Sequence, residues 1–334
     1  MKKLFILFVA LALVGFTVPA MAANDHWSFY GSARMGTFYT SQDEDAGDDK
    51  QVAWGGLQGN SRIGANVSGD TVGGRFEYGS GPNLRLLYGT WNFGGGTLLV
   101  GQTYGPANIF QSSQVYGGDA GMLNVGGFYT GRNPQIAVSA GGFKIALLTP
   151  RSGAVGVDGD SDNTMPKVEG SYSFSAGAVK ITAAAGYQTY AVEGSSDAGD
   201  YDVTSWVVGG GANVNLGPAY VKVGAMTGRN VGNYGMWTTG ASGATISGAA
   251  IEDTTTVGGI AVVGFKASDQ LKFEGGYGYV NHSADDDDTT SVFYVQAPIT
   301  VASGFYIVPE AGMYNYHEDS GKMTYFGAKW QMNF

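Results

Sequence analysis

The chain ends Lys322-Met323-Thr324-Tyr325-Phe326-Gly327-Ala328-Lys329-Trp330-Gln331-Met332-Asn333-Phe334. In an extended strand, Tyr325, Gly327, Lys329 and Gln331 share one face, and Phe326, Ala328, Trp330, Met332 and Phe334 share the other. One side is therefore apolar, the other is polar, and the last residue is aromatic. That is the pattern of a strand with lipid on one side and water on the other. Trp330, Met332 and Phe334 are expected to act as its membrane-assembly signal.

The opposite end carries an export signal. Lys2 and Lys3 give the positive start, Leu4 to Val18 the apolar run, and Ala20-Met21-Ala22 a small-residue cleavage site. Residues 1–22 are expected to be a signal peptide and residues 23–334 a barrel domain. No later run reaches ~18 consecutive apolar residues, so the segments that cross a membrane must be strands. Cysteine is absent, so an exported chain here has no disulfide framework. The mean hydropathy is -0.05, as expected when apolar and polar residues alternate. Glycine numbers 56 of 334 residues, too many for a helical protein.

Period-two alternation runs through the whole mature sequence. Lys167, Glu169, Ser171 and Ser173 alternate with Val168, Gly170, Tyr172 and Phe174, and Lys272 and Glu274 alternate with Leu271, Phe273 and Tyr277. Short Gly- or Ser-containing turns such as Gly141-Gly142, Ser175-Ala176-Gly177 and Ala302-Ser303-Gly304 are read as alternating with longer, mostly acidic connections. Short turns on one side and long loops on the other predict an all-β, closed, antiparallel transmembrane barrel in the outer membrane of a Gram-negative bacterium. The segments near 27–39, 58–67, 72–79, 84–93, 97–104, 134–140, 143–150, 165–175, 178–192, 203–216, 219–231, 254–267, 271–282, 290–301, 305–316 and 323–334 make about sixteen strands. Sixteen strands leave a water-filled lumen. Trp27, Phe29, Tyr39, Phe93, Phe143, Trp330 and Phe334 sit near strand ends, where interfacial girdles belong.

Arg34, Arg62, Arg75 and Arg85 fall one each on the first four strands, on the polar face, and Arg132 follows the longest early connection. On the lipid face at mid-depth each would cost ~2–4 kcal/mol, which places them in the lumen. Glu77 and Gln102 are read with them as lining the constriction. The connection from Gly105 to Asn133 is Gly-rich and holds one acid, Asp119. It is expected to fold into the lumen and set Asp119 against the arginines.

These features resemble the general diffusion porins of Gram-negative bacteria. Ser61-Arg62-Ile63-Gly64 with Gly69-Asp70 is similar to their second strand and turn, Asn83 to Gly89 to their fourth strand, and Tyr116-Gly117-Gly118-Asp119 to their constriction loop. The resemblance implies passive diffusion of small hydrophilic solutes and ions, with Arg62, Arg85 and Arg132 on the eyelet wall and Asp119 opposite. It also implies a homotrimer, with lipid, lipopolysaccharide and the barrel-assembly machinery as partners. Three positions depart from it: Val115 stands where the family has a glutamate, Gln102 where it has a wall arginine, and the latching loop shrinks to residues 79–83. Rival readings are a substrate-selective channel, marked by Tyr and Trp lining the lumen, and a structural or adhesive surface barrel.

The formal charge is -10, which disfavours nucleic acid as a partner. Acidic runs at 42–45, 158–162 and 285–288 predict a negative vestibule and, from their number, a weak cation preference. Asp158, Asp160 and Asp162 also have the alternate spacing of hard-cation ligands, without a closing glutamate. No cofactor is expected. The three histidines, His26, His282 and His317, lack metal spacing or a partnered nucleophile, so no enzyme is expected.

Overall fold

The computed structural model describes residues 26–43, 49–81, 83–152, 161–193, 200–247, 250–283, 287–316 and 321–334. Alternating side chains set up sixteen staves. In chain order they are β1 (His26–Asp43), β2 (Asp49–Leu57, resuming as Arg62–Ser68), β3 (Val72–Gly79), β4 (Leu84–Asn92), β5 (Thr97–Tyr104), β6 (Arg132–Ala140), β7 (Phe143–Leu148) and β8 (Lys167–Ala176). The second half comprises β9 (Val179–Val192), β10 (Tyr201–Leu216), β11 (Ala219–Arg229), β12 (Thr255–Lys266), β13 (Lys272–Ser283), β14 (Asp287–Gln296, resuming as Ile299–Ala302), β15 (Phe305–Asn315) and β16 (Lys322–Asn333).

Each stave pairs antiparallel with its neighbours in sequence, and β16 closes on β1 from Ser32↔Asn333 to Asp43↔Lys322. Closure leaves no sheet edge in lipid, where an unpaired backbone group costs several kcal/mol. The chain end is tied in as well: Gly31 N–H donates to Phe334 O at 2.6 Å and Phe334 N–H to Gly31 O at 3.1 Å. Both described termini thus lie at the short-turn end. Among the described residues no helix is long and apolar enough to cross a membrane.

The outer surface carries the apolar set. Ile63, Leu87, Val100, Ile136, Ile145, Val263 and Phe293 are all exposed, as a band facing hydrocarbon requires. At the short-turn end Trp27, Phe29, Trp91, Phe93, Phe143, Trp330 and Phe334 are exposed too and form one aromatic girdle. The turns at that end are tight. Gly141 (φ 57°) and Gly142 (φ 87°) join β6 to β7 in a left-handed conformation that residues with a Cβ rarely adopt.

Two strand readings and the pattern of connections need correction. The second strand does not begin near 58. It starts at Asp49, pairs with the upper half of β1, breaks at 58–61 and resumes at Arg62 against the lower half. Glycines 55, 56 and 59 hid it by interrupting the alternation. The fourteenth begins at Asp287 rather than 290. Short and long connections therefore do not alternate strictly, because on the long-loop side 79–84 and 283–287 are as short as the turns. Of the acidic runs, Gln42 and Asp43 belong to β1 and Asp287 and Asp288 to β14. Asp162 pairs with Ala191 in a two-residue strand. The signal segment 1–22, Glu44, Asp45, Asp158, Asp160, Asp285, Asp286 and His317 lie outside the described residues.

The interior is not empty. Residues 105–131 fold into the barrel and build a core against its inner wall. Val115, Met122, Val125 and Phe128 from this loop pack with Ile260, Val262, Val280, Val292 and Tyr294 from β12 to β14. On this side both faces of the strands are apolar, one turned to lipid and the other to the loop.

Candidate functional site

Among the described residues four glutamates project into the lumen, and none of the four is free. Glu169 accepts Ala107 N–H at 2.8 Å and Thr130 Oγ1–H at 3.0 Å. Glu274 accepts Ser113 N–H at 2.9 Å, together with hydroxyls from Tyr220 (2.5 Å) and Tyr294 (2.6 Å). Glu310 accepts Val115 N–H at 2.7 Å and Tyr116 N–H at 2.9 Å. An inward-folded loop buries backbone N–H groups that its own strands cannot satisfy, and a carboxylate is the strongest acceptor available to them. These three wall glutamates therefore hold the loop in place, at 0%, 5% and 3% exposure.

The fourth, Glu77, sits within the arginine stripe. It accepts Arg85 Nε–H at 2.6 Å and Tyr30 O–H at 2.8 Å, and lies 3.2 Å from Arg75 Nη2 and 3.5 Å from Arg62 Nη1. One buried carboxylate thus holds three guanidiniums. Arg75 also stacks on Tyr30, with its guanidinium 5.0 Å from the ring centroid. Gln102 donates to the backbone oxygens of Leu84 and Arg85, at 2.8 and 3.4 Å.

Asp119 does not face the arginines across open water. Gly117 (φ 68°) and Gly118 (φ 74°) start a left-handed turn that Asp119 (φ 64°) continues, and aspartate is among the few residues that tolerate this region. The turn lays the carboxylate on the wall. Oδ2 lies 2.7 Å from Arg34 Nη1 and 2.7 Å from Asn60 Nδ2, and Oδ1 lies 2.9 Å from Lys329 Nζ. Burial pushes the Asp119 pKa up, but Lys329 and then Arg34 outweigh it and hold the carboxyl below its ordinary value. Lys329 is a site residue that sequence reasoning placed only on a polar face. Its proximity follows from the closing register, which pairs it with Gly36, two residues from Arg34.

A second loop also turns inward, and the sequence reading did not foresee it. Residues 230–247 leave β11 through Asn230 (φ 51°), bury Val231, Tyr234 and Met236, and dock on the first loop. Trp237 N–H donates to Tyr129 O at 3.0 Å, Thr239 N–H to Asn124 O at 2.8 Å, and Tyr234 O–H to Glu169 at 3.2 Å. The signal was present in Tyr234-Gly235-Met236-Trp237, which is as aromatic, Gly-rich and uncharged as the first inward loop.

Between these loops and β1, β2 and β4 lies a cavity of about 360 Å³. Arg34, Arg62, Arg85, Arg132 and Lys329 line it, with Asp119 the one carboxylate among the lining residues. Of the sequence-predicted residues, Arg75, Glu77 and Gln102 lie outside it. Tyr104, Phe110, Tyr129 and Trp237 add an aromatic wall. Toward the short-turn end the lumen stays basic. Lys144 and Lys180 line one further cavity, and Lys222, Lys266 and Lys272 another. Among the described residues, no group of His, Cys, Asp and Glu is placed to hold a metal ion. The buried His282 ring is hydrogen-bonded to Thr256 and to the Thr239 carbonyl oxygen.

No curated protein matches this sequence. Solved structures do match it. The outer membrane channel DcaP of Acinetobacter baumannii shares 17% identity at a TM-score of 0.73, covering 94% of this chain and 98% of its own. An anion-selective porin from Comamonas acidovorans shares 11% identity at 0.66, covering 93% and 100%. OmpT of Vibrio cholerae, in a trimer form, shares 15% identity at 0.60, covering 93% and 100%. At these identities the likeness establishes the fold, a closed sixteen-stranded outer-membrane barrel. The family model described as Gram-negative porin matches residues 9–297. Most of the chain lies within that match, and this protein belongs to the Gram-negative porin family: it is an outer-membrane channel for passive diffusion.

Proposed function

We propose that the channel prefers anions and that the cavity beside Arg34, Arg62, Arg85, Arg132 and Lys329 is its narrowest point. One observation carries this reading. Three lumen glutamates are consumed in docking the inward loop and Glu77 in pairing with wall arginines, while four arginines and Lys329 line the cavity against one carboxylate, Asp119. Acidic loops at the mouth are screened over ~8 Å at physiological salt, whereas charges inside a low-dielectric constriction act on every ion that passes. This replaces the weak cation preference suggested by counting acidic residues. The test is a reversal potential across a planar bilayer in a KCl gradient. Chloride preference supports the proposal, and potassium preference overturns it.

The chain acts in this reading as a homotrimer in lipid and lipopolysaccharide, inserted by the barrel-assembly machinery after removal of residues 1–22. The trimer form of the Vibrio cholerae relative supports the oligomer, and the aromatic terminus at Phe334 supports the assembly route. Conductance rising in three equal steps per insertion is the expected record. No catalytic step is proposed.

The selective-channel reading gains one specific observation: Tyr104, Tyr129 and Trp237 do line the lumen.

A further inference from the structure

The aromatic wall of the constriction is costly as it stands. Phe110 is 49% exposed and Trp237 is 44% exposed, yet both belong to inward-folded loops and so face water instead of lipid. Apolar area left in water forgoes about 25 cal/mol per Å² of burial, and an exposed apolar patch rimmed by polar groups marks a binding surface. These rings are ordered against one another. Tyr104 and Phe110 meet edge to face at 5.3 Å, Phe110 and Tyr129 at 5.8 Å, and Tyr129 and Trp237 at 6.1 Å. The Arg132 guanidinium lies 5.4 Å from the Tyr104 ring centroid and donates to its hydroxyl oxygen at 3.1 Å, which joins the aromatic wall to the basic one.

We infer that this cavity is a subsite for aromatic carboxylates, whose ring lies against Phe110 and Trp237 while the carboxylate is held by the guanidiniums of Arg62, Arg85 and Arg132. The inference rests on the anion-channel reading and deepens it. A guanidinium presents paired N–H donors matched to a carboxylate. An aromatic ring gains from edge-to-face and offset contacts beyond its area alone. A small aliphatic anion engages only the basic wall, and a neutral aromatic only the other. The cavity volume, about 360 Å³, suits one such molecule at a time. Residues 230–247 supply Trp237 to the cavity, which gives that loop's inward fold a role.

The full chain reconstituted in planar bilayers tests this through interruption of the KCl current by three probes: benzoate, acetate and benzamide. Benzoate is expected to interrupt the current at concentrations about tenfold below either of the others. Trp237→Ala and Phe110→Ala are each expected to remove most of that advantage, on the scale of one aromatic contact. Trp91→Phe, on the lipid-facing girdle, should retain all of it. Equal potency of benzoate and acetate in a conducting channel overturns the aromatic half of the inference, and equal potency of benzoate and benzamide overturns the carboxylate half. Failure to conduct KCl at all would instead overturn the channel reading beneath it.

Discussion

Lys329 Nζ lies 2.9 Å from Asp119 Oδ1, while Arg34 holds the other carboxylate oxygen at 2.7 Å. The first and last strands of the barrel are thereby pinned to the tip of the inward loop by one side chain. Asp119→Asn keeps the shape and the contact to Asn60 but removes the charge. Two effects follow. The constriction gains one net positive charge, so chloride preference in a KCl gradient should rise. The loop tip loses two charge-assisted contacts of ~1.5–3 kcal/mol each, so current noise should increase. An unchanged reversal potential would mean that Asp119 lies away from the ion path.

The same carboxylate fixes a pH dependence. Asp119 titrates below its ordinary value near 3.8, so its ionised form is favoured by folding. A lowered folded-state pKa gives stability that is fully present above the unfolded value and is lost as pH falls through the folded one. The contribution of Asp119 should therefore persist from pH 7 down to about pH 4.5 and be lost only in stronger acid, so that the difference in selectivity between the parent channel and Asp119→Asn holds across that range. Reversal potentials recorded across that range check the sign. Loss of the difference between the parent channel and Asp119→Asn near pH 5 would contradict the lowered value.

The barrel was legible because period two survives in nearly every stave, and the apolar face of Phe326 to Phe334 can meet only lipid. The arginines were legible for the complementary reason, that a guanidinium at mid-depth has nowhere to go but inward. The roles of Glu169, Glu274 and Glu310 were not legible. Each occupies a polar-face position like any lumen residue, and strand spacing says nothing about which backbone N–H groups of a distant loop will meet it. A related gap separates the count of acidic residues from the anion preference proposed here. Counting the acidic runs weighs residues of the long connections, whereas the proposal weighs the basic side chains that line the cavity. The inward course of the connection after β11 was not legible because a charge-poor, aromatic connection carries no period-two pattern to say which way it turns.

Glu310 offers a direct test of the loop-docking role. Its two oxygens satisfy consecutive N–H groups, Val115 and Tyr116, and Tyr325 O–H adds a third bond at 3.1 Å. Glu310→Ala leaves buried donors without acceptors, at ~1–3 kcal/mol each. The middle of the inward loop should loosen, giving larger and more fluctuating single-channel currents. Glu310→Gln, which keeps one carbonyl acceptor, should fall between. Quiet currents of ordinary size in Glu310→Ala would show that the apolar packing of Met122 and Val125 holds the loop unaided.

Glu77 separates structure from selectivity. Its side chain is 1% exposed and that of Arg85 only 7%, so the pair is buried, whereas those of Arg62 and Arg75 are 20% and 33% exposed. Removing one partner of a buried pair typically costs ~3–5 kcal/mol, because the other charge is left uncompensated. Glu77→Gln should accordingly lower the temperature at which the folded barrel unfolds on a detergent gel. It should also strengthen chloride preference by freeing three guanidiniums. The double variant Arg62→Ala, Arg85→Ala moves selectivity the other way, toward cations, and widens the cavity, so conductance should rise. Arg75→Ala should do neither to a comparable extent, since Arg75 lies outside the cavity. If both the glutamate and the arginine variants shifted the reversal potential in the same direction, the charge of this cluster would not be what passing ions sense.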